Sequence, residues 1–158
     1  MLVPVDFKEE SSRDLLAGAA IARTLGVRLV ILHVVAPIKR LERLRPHIDA
    51  HNRAQFELAE REVQRLTSKI RGSIDIESVI AIGSPAEEIA KTAVARGVGL
   101  IVMGLRRQEH FLGARPGSIA YRVLGLAPAL IVALPPGDVE VEWMKPDRTG
   151  RGQAALAS

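Results

Sequence analysis

Four residues, Asp6, Gly104, Gly117 and Ser118, have the types and setting of a phosphate-binding turn. Asp6 closes the apolar run "LVPV", Gly104 closes "LIVM", and Gly117-Ser118 opens the apolar pattern "IAYRVLGL". A glycine at a helix mouth lets backbone N–H groups approach phosphate oxygens, a serine adds a hydroxyl, and the helix supplies free N–H groups and a partial positive charge. Between the glycines, "LRRQEHFLGARP" brings Arg106, Arg107 and Arg115, so the turn is cationic, and Pro116 removes one N–H donor and biases its neighbour toward an extended backbone. Each residue also has a plain structural reading: Asp6 as a cap or turn residue, Gly104 as a tight turn, Ser118 as the start of a helix.

Positioning such residues requires strand ends and helix starts to meet. "MLVPV" reads as a strand ending at Asp6, and "FKEESSRDLLAGAAIARTLG" as a helix with acidic residues at its start and Gly26 as its C-cap. "VRLVILHVV", Val27 to Val35, is a strand buried on both faces. A basic connector after Pro37 leads to a helix from about Asp49 to Ile70, stopped by Gly72, and "IDIESVIAIG" alternates as an edge strand with one wet face. In "SPAEEIAKTAVARG", Ser84, Pro85 at the first helical position and Glu87 form a capping box, and Gly97 terminates the helix. "GLIVMG" is a buried strand, Gly117 to Leu126 a helix, and "ALIVALP", Ala129 to Pro135, a last buried strand. Residues 137–158 lack periodicity and read as a mostly disordered tail in which Trp143 is the one large aromatic.

Composition agrees with one domain of this kind. The chain has 158 residues, 47% of them hydrophobic and only 3% aromatic, so its core is aliphatic, as parallel strands covered by helices require. The absence of cysteine excludes disulfides and thiolate chemistry. No apolar stretch spans a membrane and no signal peptide precedes the first strand, so a cytoplasmic protein is expected. His47 and His51 are spaced for a shared helical face but lack the acidic residue of a zinc motif, and no metal site is expected. The 22 Lys and Arg exceed 18 Asp and Glu by a net +4, in clusters without interleaved aromatics, which favours a solvated basic face over nucleic acid binding. No paired carboxylates or nucleophile-base set appears, so at most slow ATP hydrolysis is expected, not a dedicated enzyme.

The strict alternation of strand and helix implies an α/β domain with a parallel sheet, right-handed crossovers and helices on both faces. Ligands in such sheets bind beyond the C-terminal strand ends, where the strand order reverses. If the first strand lies at that point beside the fourth, Asp6 faces the loop that begins at Gly104.

The motifs "LVPVD", "LHVV", "GSPAEEIAKTA", "LIVMG" and "GSIAYRVLGLAPALIVALP" together resemble the universal stress protein family, over residues 1–136. The resemblance implies a single flavodoxin-like, Rossmann-like domain with strand order 3-2-1-4-5. It also implies a stress-response regulatory module that forms a homodimer through its last strand, Ala129 to Leu134. In members that bind ATP, a glycine, two residues, a second glycine, nine residues and a final Gly-Ser or Gly-Thr make the loop. Here Gly104 and Gly117-Ser118 fill the first and last places, and Arg107 stands at the second. By that match Asp6 lies near adenine and ribose, Val34 at the purine edge, and Gly104, Gly117 and Ser118 around ribose and phosphates. Met103 and Arg107 complete the candidate cofactor-binding set, and ATP with Mg²⁺ is the implied ligand.

Arg107 leaves that ligand open. A non-glycine residue at positive φ costs on the order of 1 kcal/mol, and its side chain takes up space. A guanidinium on phosphate returns roughly 1.5–3 kcal/mol. The alternative is a non-nucleotide interaction protein that meets an unknown protein partner through its dimer surface and basic patches.

Overall fold

The computed structural model describes residues 1–8, 10–36, 45–70, 74–105 and 118–136, with the backbone alone described for 45–52. Its elements are β1 (Leu2–Val5), α1 (Ser11–Leu25), β2 (Leu29–Val35), α2 (Arg45–Thr67), β3 (Ile76–Ile82), α3 (Pro85–Ala95), β4 (Leu100–Gly104), α4 (Ile119–Leu126) and β5 (Leu130–Leu134). The five strands form one sheet in the order β3-β2-β1-β4-β5, and every pairing is parallel. The order reverses between β1 and β4, as the resemblance to the universal stress protein family implies.

Alternate residues of each central strand feed two aliphatic cores. Val3, Val5, Leu29, Ile31 and Val102 pack with Leu15, Ala19 and Ala22 of α1 and Val63 and Leu66 of α2. Leu2, Val30, Leu32, Ile101 and Met103 pack with Ala86, Ile89 and Ala93 of α3 and Val123 of α4. The first layer is held close by Gly18, where an added Cβ would overlap Val3 Cγ2.

Both glycine helix stops form, and for the same reason. Gly26 (φ 62) and Gly97 (φ 59) turn left-handed, which lets Val27 N–H donate to Ala22 O at 3.0 Å and Val98 N–H to Ala93 O at 2.8 Å. The first of these bonds occupies Val27, so the second strand starts at Leu29 and not at Val27. The long helix starts at Arg45, earlier than its periodicity suggests, because Pro46 sits in the first turn, where no N–H is needed. It ends at Thr67 because Lys69 N–H and Ile70 N–H bond Leu66 O and Thr67 O, tightening the chain out of the α-helix.

Two expectations are corrected. Ser84 is the N-cap of α3 in extended conformation, with Pro85 following it, but its side chain makes no cap hydrogen bond. Arg122 of α4 instead donates to Ser84 Oγ at 3.3 Å and to Glu87 Oε1 at 3.1 Å, so the two members of the expected box are drawn to a third residue. The last strand is not buried: Leu130 is 75% exposed and Val132 37%, because β5 is an edge with a helix layer on only part of its surface. A third differs as well: at the opposite edge β3 has no single wet face, because Glu77, paired to Arg96 at 2.8 Å, lies on the same face as Val79 and Ala81, which pack against the second core, while Ile76 on the other face packs against the first. The tail and Trp143 lie outside the described residues.

Candidate nucleotide site

Strand register assembles the site. Val5 is level with His33 across β1 and β2, so Asp6, the next residue, comes level with Val34. Leu2 is paired with Ile101 across β1 and β4, and the same register carried to the strand ends sets Gly104 beside Val5. Asp6, Val34 and Gly104 therefore finish three adjacent strands at one edge, on the crevice where ligands of open parallel sheets bind. Met103 is buried in the core on the α3 and α4 side, and Val34 packs partly against that core.

Asp6 is a turn residue with a fixed carboxylate. Its Oδ1 accepts from Ser11 Oγ–H at 2.6 Å and from Lys8 N–H at 3.2 Å, while its own N–H donates to Ser11 Oγ at 3.2 Å. Its Oδ2 lies 4.0 Å from Lys8 Nζ. Both readings of Asp6 meet in this arrangement, since the bonds that shape the turn also hold the carboxylate at the end of β1. Ser118 is likewise double-purpose. As N-cap of α4 (φ −65, ψ 156) its Oγ accepts from Tyr121 N–H at 3.2 Å, and the hydroxyl hydrogen remains to donate to an anion. The first intrahelical bond runs from Arg122 N–H to Ser118 O, so the N–H groups of Ile119 and Ala120 precede the helical ladder. Arg107 and Gly117 lie outside the described residues, as do Arg106, Arg115 and Pro116.

Sequence reasoning missed the residues that support Asp6. Ser11 is fully buried and holds Asp6 from the first turn of α1. A signal for it existed, because a hydroxyl at a helix start, just after a strand-ending Asp, is a natural partner. Asp14 is fully buried too; it accepts from Arg13 at 3.1 Å, and Arg13 also donates to Pro135 O just beyond β5. His33 contacts Val5 O through Nδ1 at 2.8 Å and stacks on Phe7 with ring centroids 3.8 Å apart. The signal for His33 was a polar residue inside the buried run "VILHVV".

Burial pushes the His33 imidazole below its ordinary value, outweighing the Val5 carbonyl and the Asp6 charge, which raise it. The folded state thus resists a proton that the unfolded chain accepts. Its contribution to stability is fully present above the unfolded value of about 6.5 and is lost as pH falls from there through the folded value. Thermal melts from about pH 7 to about pH 5 are expected to fall more steeply for the natural protein than for His33→Phe, which cannot titrate there. Parallel curves for the two would contradict this assignment.

Order 3-2-1-4-5, all-parallel pairing and a polar crevice at the switch point define a flavodoxin-like α/β domain. The model of the universal stress protein family matches residues 1–134. The chain belongs to that family. It is 27% identical over 149 residues to the universal stress protein YxiE of Bacillus subtilis strain 168, covering 84% of this chain and 97% of the relative. Among solved structures it is similar to a universal stress protein in complex with cAMP (TM-score 0.59, 18% identity, 85% of this chain and 95% of that one). It is also similar to the universal stress protein from Archaeoglobus fulgidus in complex with dAMP (TM-score 0.54, 18% identity, 84% and 94%). Among the described residues no helix is long and apolar enough to cross a membrane.

Proposed function

We propose that this protein is an adenine-nucleotide-binding regulatory module of the stress response, working as a cytoplasmic homodimer and not as a dedicated enzyme. The observation that carries the reading is the position of Asp6 at the switch point, held there by Ser11, level with Val34 and one residue beyond the level of Gly104. A fixed carboxylate there accepts from an adenine amino group or a ribose hydroxyl, and the capped start of α4 offers a hydroxyl and N–H groups to phosphate. The cAMP and dAMP complexes of related proteins support adenine as the base. ATP with Mg²⁺ is the ligand proposed, and Arg107, at the sequence position of a loop glycine, carries a guanidinium suited to phosphate.

Calorimetry with ATP–Mg²⁺, AMP and cAMP tests this. Saturable heat with at least one of them below millimolar concentration is expected, with GTP at least tenfold weaker. No heat from any adenine nucleotide at millimolar concentration would sink the reading. Arg107→Gly sharpens the result: a loss of up to about tenfold fits a phosphate-contacting arginine, worth roughly 1.5 kcal/mol or less. Tight binding that appears only in the variant would make Arg107 a block.

A second reading, an interaction protein without nucleotide, draws on the apolar surface of α4 and β5. Leu130, Leu124 and Leu126 are 75%, 59% and 50% exposed, beside an unpaired strand edge. A second copy of the chain, paired through Ala129 to Leu134, would cover that edge. Leu130→Glu is expected to weaken the dimer at least about thirtyfold, the effect of losing a central interface residue, and to leave monomer at micromolar concentration in light scattering. A natural protein that is already monomeric there would refute the dimer and leave the surface to a different protein.

A further inference from the structure

We propose that His33 is a positioning residue for nucleotide recognition, holding the residues on both sides of Asp6 and so fixing the carboxylate from the neighbouring strand. The proposal rests on the reading of the cleft as an adenine nucleotide site. It concerns a side chain that makes none of the contacts assigned to the ligand above.

On the N-terminal side of Asp6, His33 Nδ1 lies 2.8 Å from Val5 O. A carbonyl can only accept, so Nδ1 carries the hydrogen and donates it. On the C-terminal side, the Phe7 ring lies on the imidazole at 3.8 Å with an interplanar angle of 23°. One imidazole thus grips Val5 by its backbone and Phe7 by its ring, with Asp6 between them.

Phe7 has φ 60, and among the described residues it is the only non-glycine with a positive φ. A bulky residue in that region is strained and persists where its surroundings over-determine it. Glycine would adopt the same turn without strain, so the aromatic ring is retained for what it touches. It touches His33 and packs against the core beneath α1 and α2. The left-handed turn at Phe7 is what brings Lys8 N–H back to Asp6 Oδ1 at 3.2 Å, and the following turn delivers Ser11 Oγ to the same oxygen at 2.6 Å. Without the ring contact the chain would relax toward the ordinary φ region and the carboxylate would lose its direction.

The test compares the full-length natural protein with His33→Ala, His33→Phe, Asp6→Ala and the double variant His33→Ala/Asp6→Ala. Calorimetry measures ATP–Mg²⁺ binding, and nuclear magnetic resonance reads the Phe7 Cα and Cβ shifts, which report positive φ, and the Asp6 carboxyl carbon. His33→Ala is expected to weaken ATP at least tenfold, to move the Phe7 shifts out of the left-handed range and to shift the Asp6 carboxyl signal. In the Asp6→Ala background the same change is expected to alter affinity less than twofold, because its route of action is gone. His33→Phe, which keeps a ring against Phe7, is expected to recover part of the affinity and serves where His33→Ala does not fold. Equal losses in both backgrounds, or unchanged Phe7 and Asp6 signals in His33→Ala, would overturn the role of His33 while leaving nucleotide binding intact. A natural protein that binds no adenine nucleotide would overturn the nucleotide reading, and this role with it.

Discussion

Gly18→Ala lowers the melting temperature by roughly 2–4 °C, the shift expected for a net loss of about 1 kcal/mol in a chain of this size. The new methyl would fall well inside contact distance of Val3 Cγ2, and Val3 is a fully buried residue of the central strand β1 with no room to retreat. Overpacking of this kind costs about 1–3 kcal/mol. Alanine recovers up to about 1 kcal/mol through its better helix propensity, which keeps the net loss moderate. The contact has a signature that separates it from general damage. Val3→Ala alone opens a cavity, but in the Gly18→Ala background it also removes the clash, so the two changes together cost less than the sum by about 1 kcal/mol or more. Strict additivity in chemical denaturation would rule out the close approach as the cause. The loss also reaches the site, because the α1 that Gly18 seats on β1 is the helix whose first turn carries Ser11 to Asp6.

Asp14→Ala costs about 2–3 kcal/mol, with Asp14→Asn recovering part of it. The carboxylate is fully buried in the first turns of α1 and accepts from Arg13, and hydrogen bonds to charged groups contribute about 1.5–3 kcal/mol each. The same guanidinium donates to Pro135 O, so the carboxylate steadies a strap from α1 to the end of β5. Guanidinium denaturation reads the global loss. Amide exchange at Leu105, whose N–H donates to Leu134 O at 2.8 Å, reads the local one and is expected to accelerate at least tenfold. A denaturation midpoint unchanged by Asp14→Ala would mean that the burial of the charge cancels its bonds, as happens for some buried pairs.

Features carried by single residues in their own segment were legible. Gly26 and Gly97 stop helices because only glycine turns left-handed at little cost. The family and the strand order were legible for a similar reason, since several local motifs stand in register along the chain. What was hidden depends on contacts across the fold. Ser84 and Glu87 have the spacing of a capping box, yet Arg122 of α4 reaches both. The His33 clasp joins β2 to residues that the sequence separates by a whole helix, and nothing in the neighbourhood of Phe7 foretells a positive φ. That Asp6, Val34 and Gly104 end adjacent strands was readable because strand ends and the family's strand order were readable. The bonds that hold Asp6 were missed: Ser11 left a signal at the helix start, but the Lys8 bond depends on the positive φ of Phe7, which its own segment does not foretell.

The place of β1 in the sheet has a consequence for the chain while it is being made. β1 bonds β2 on one side and β4 on the other, and β4 is synthesised only after α3. When β1, β2 and β3 have left the ribosome, α1 and α2 can already cover one face. The other face, with Leu2, Val30 and Leu32, stays bare until Ile89, Met103 and Val123 arrive. For that interval the nascent protein presents both an uncovered aliphatic surface and an unpaired edge along its central strand, the two features that promote misassembly. The half-length chain thus carries a liability that the arrival of α3, β4 and α4 removes.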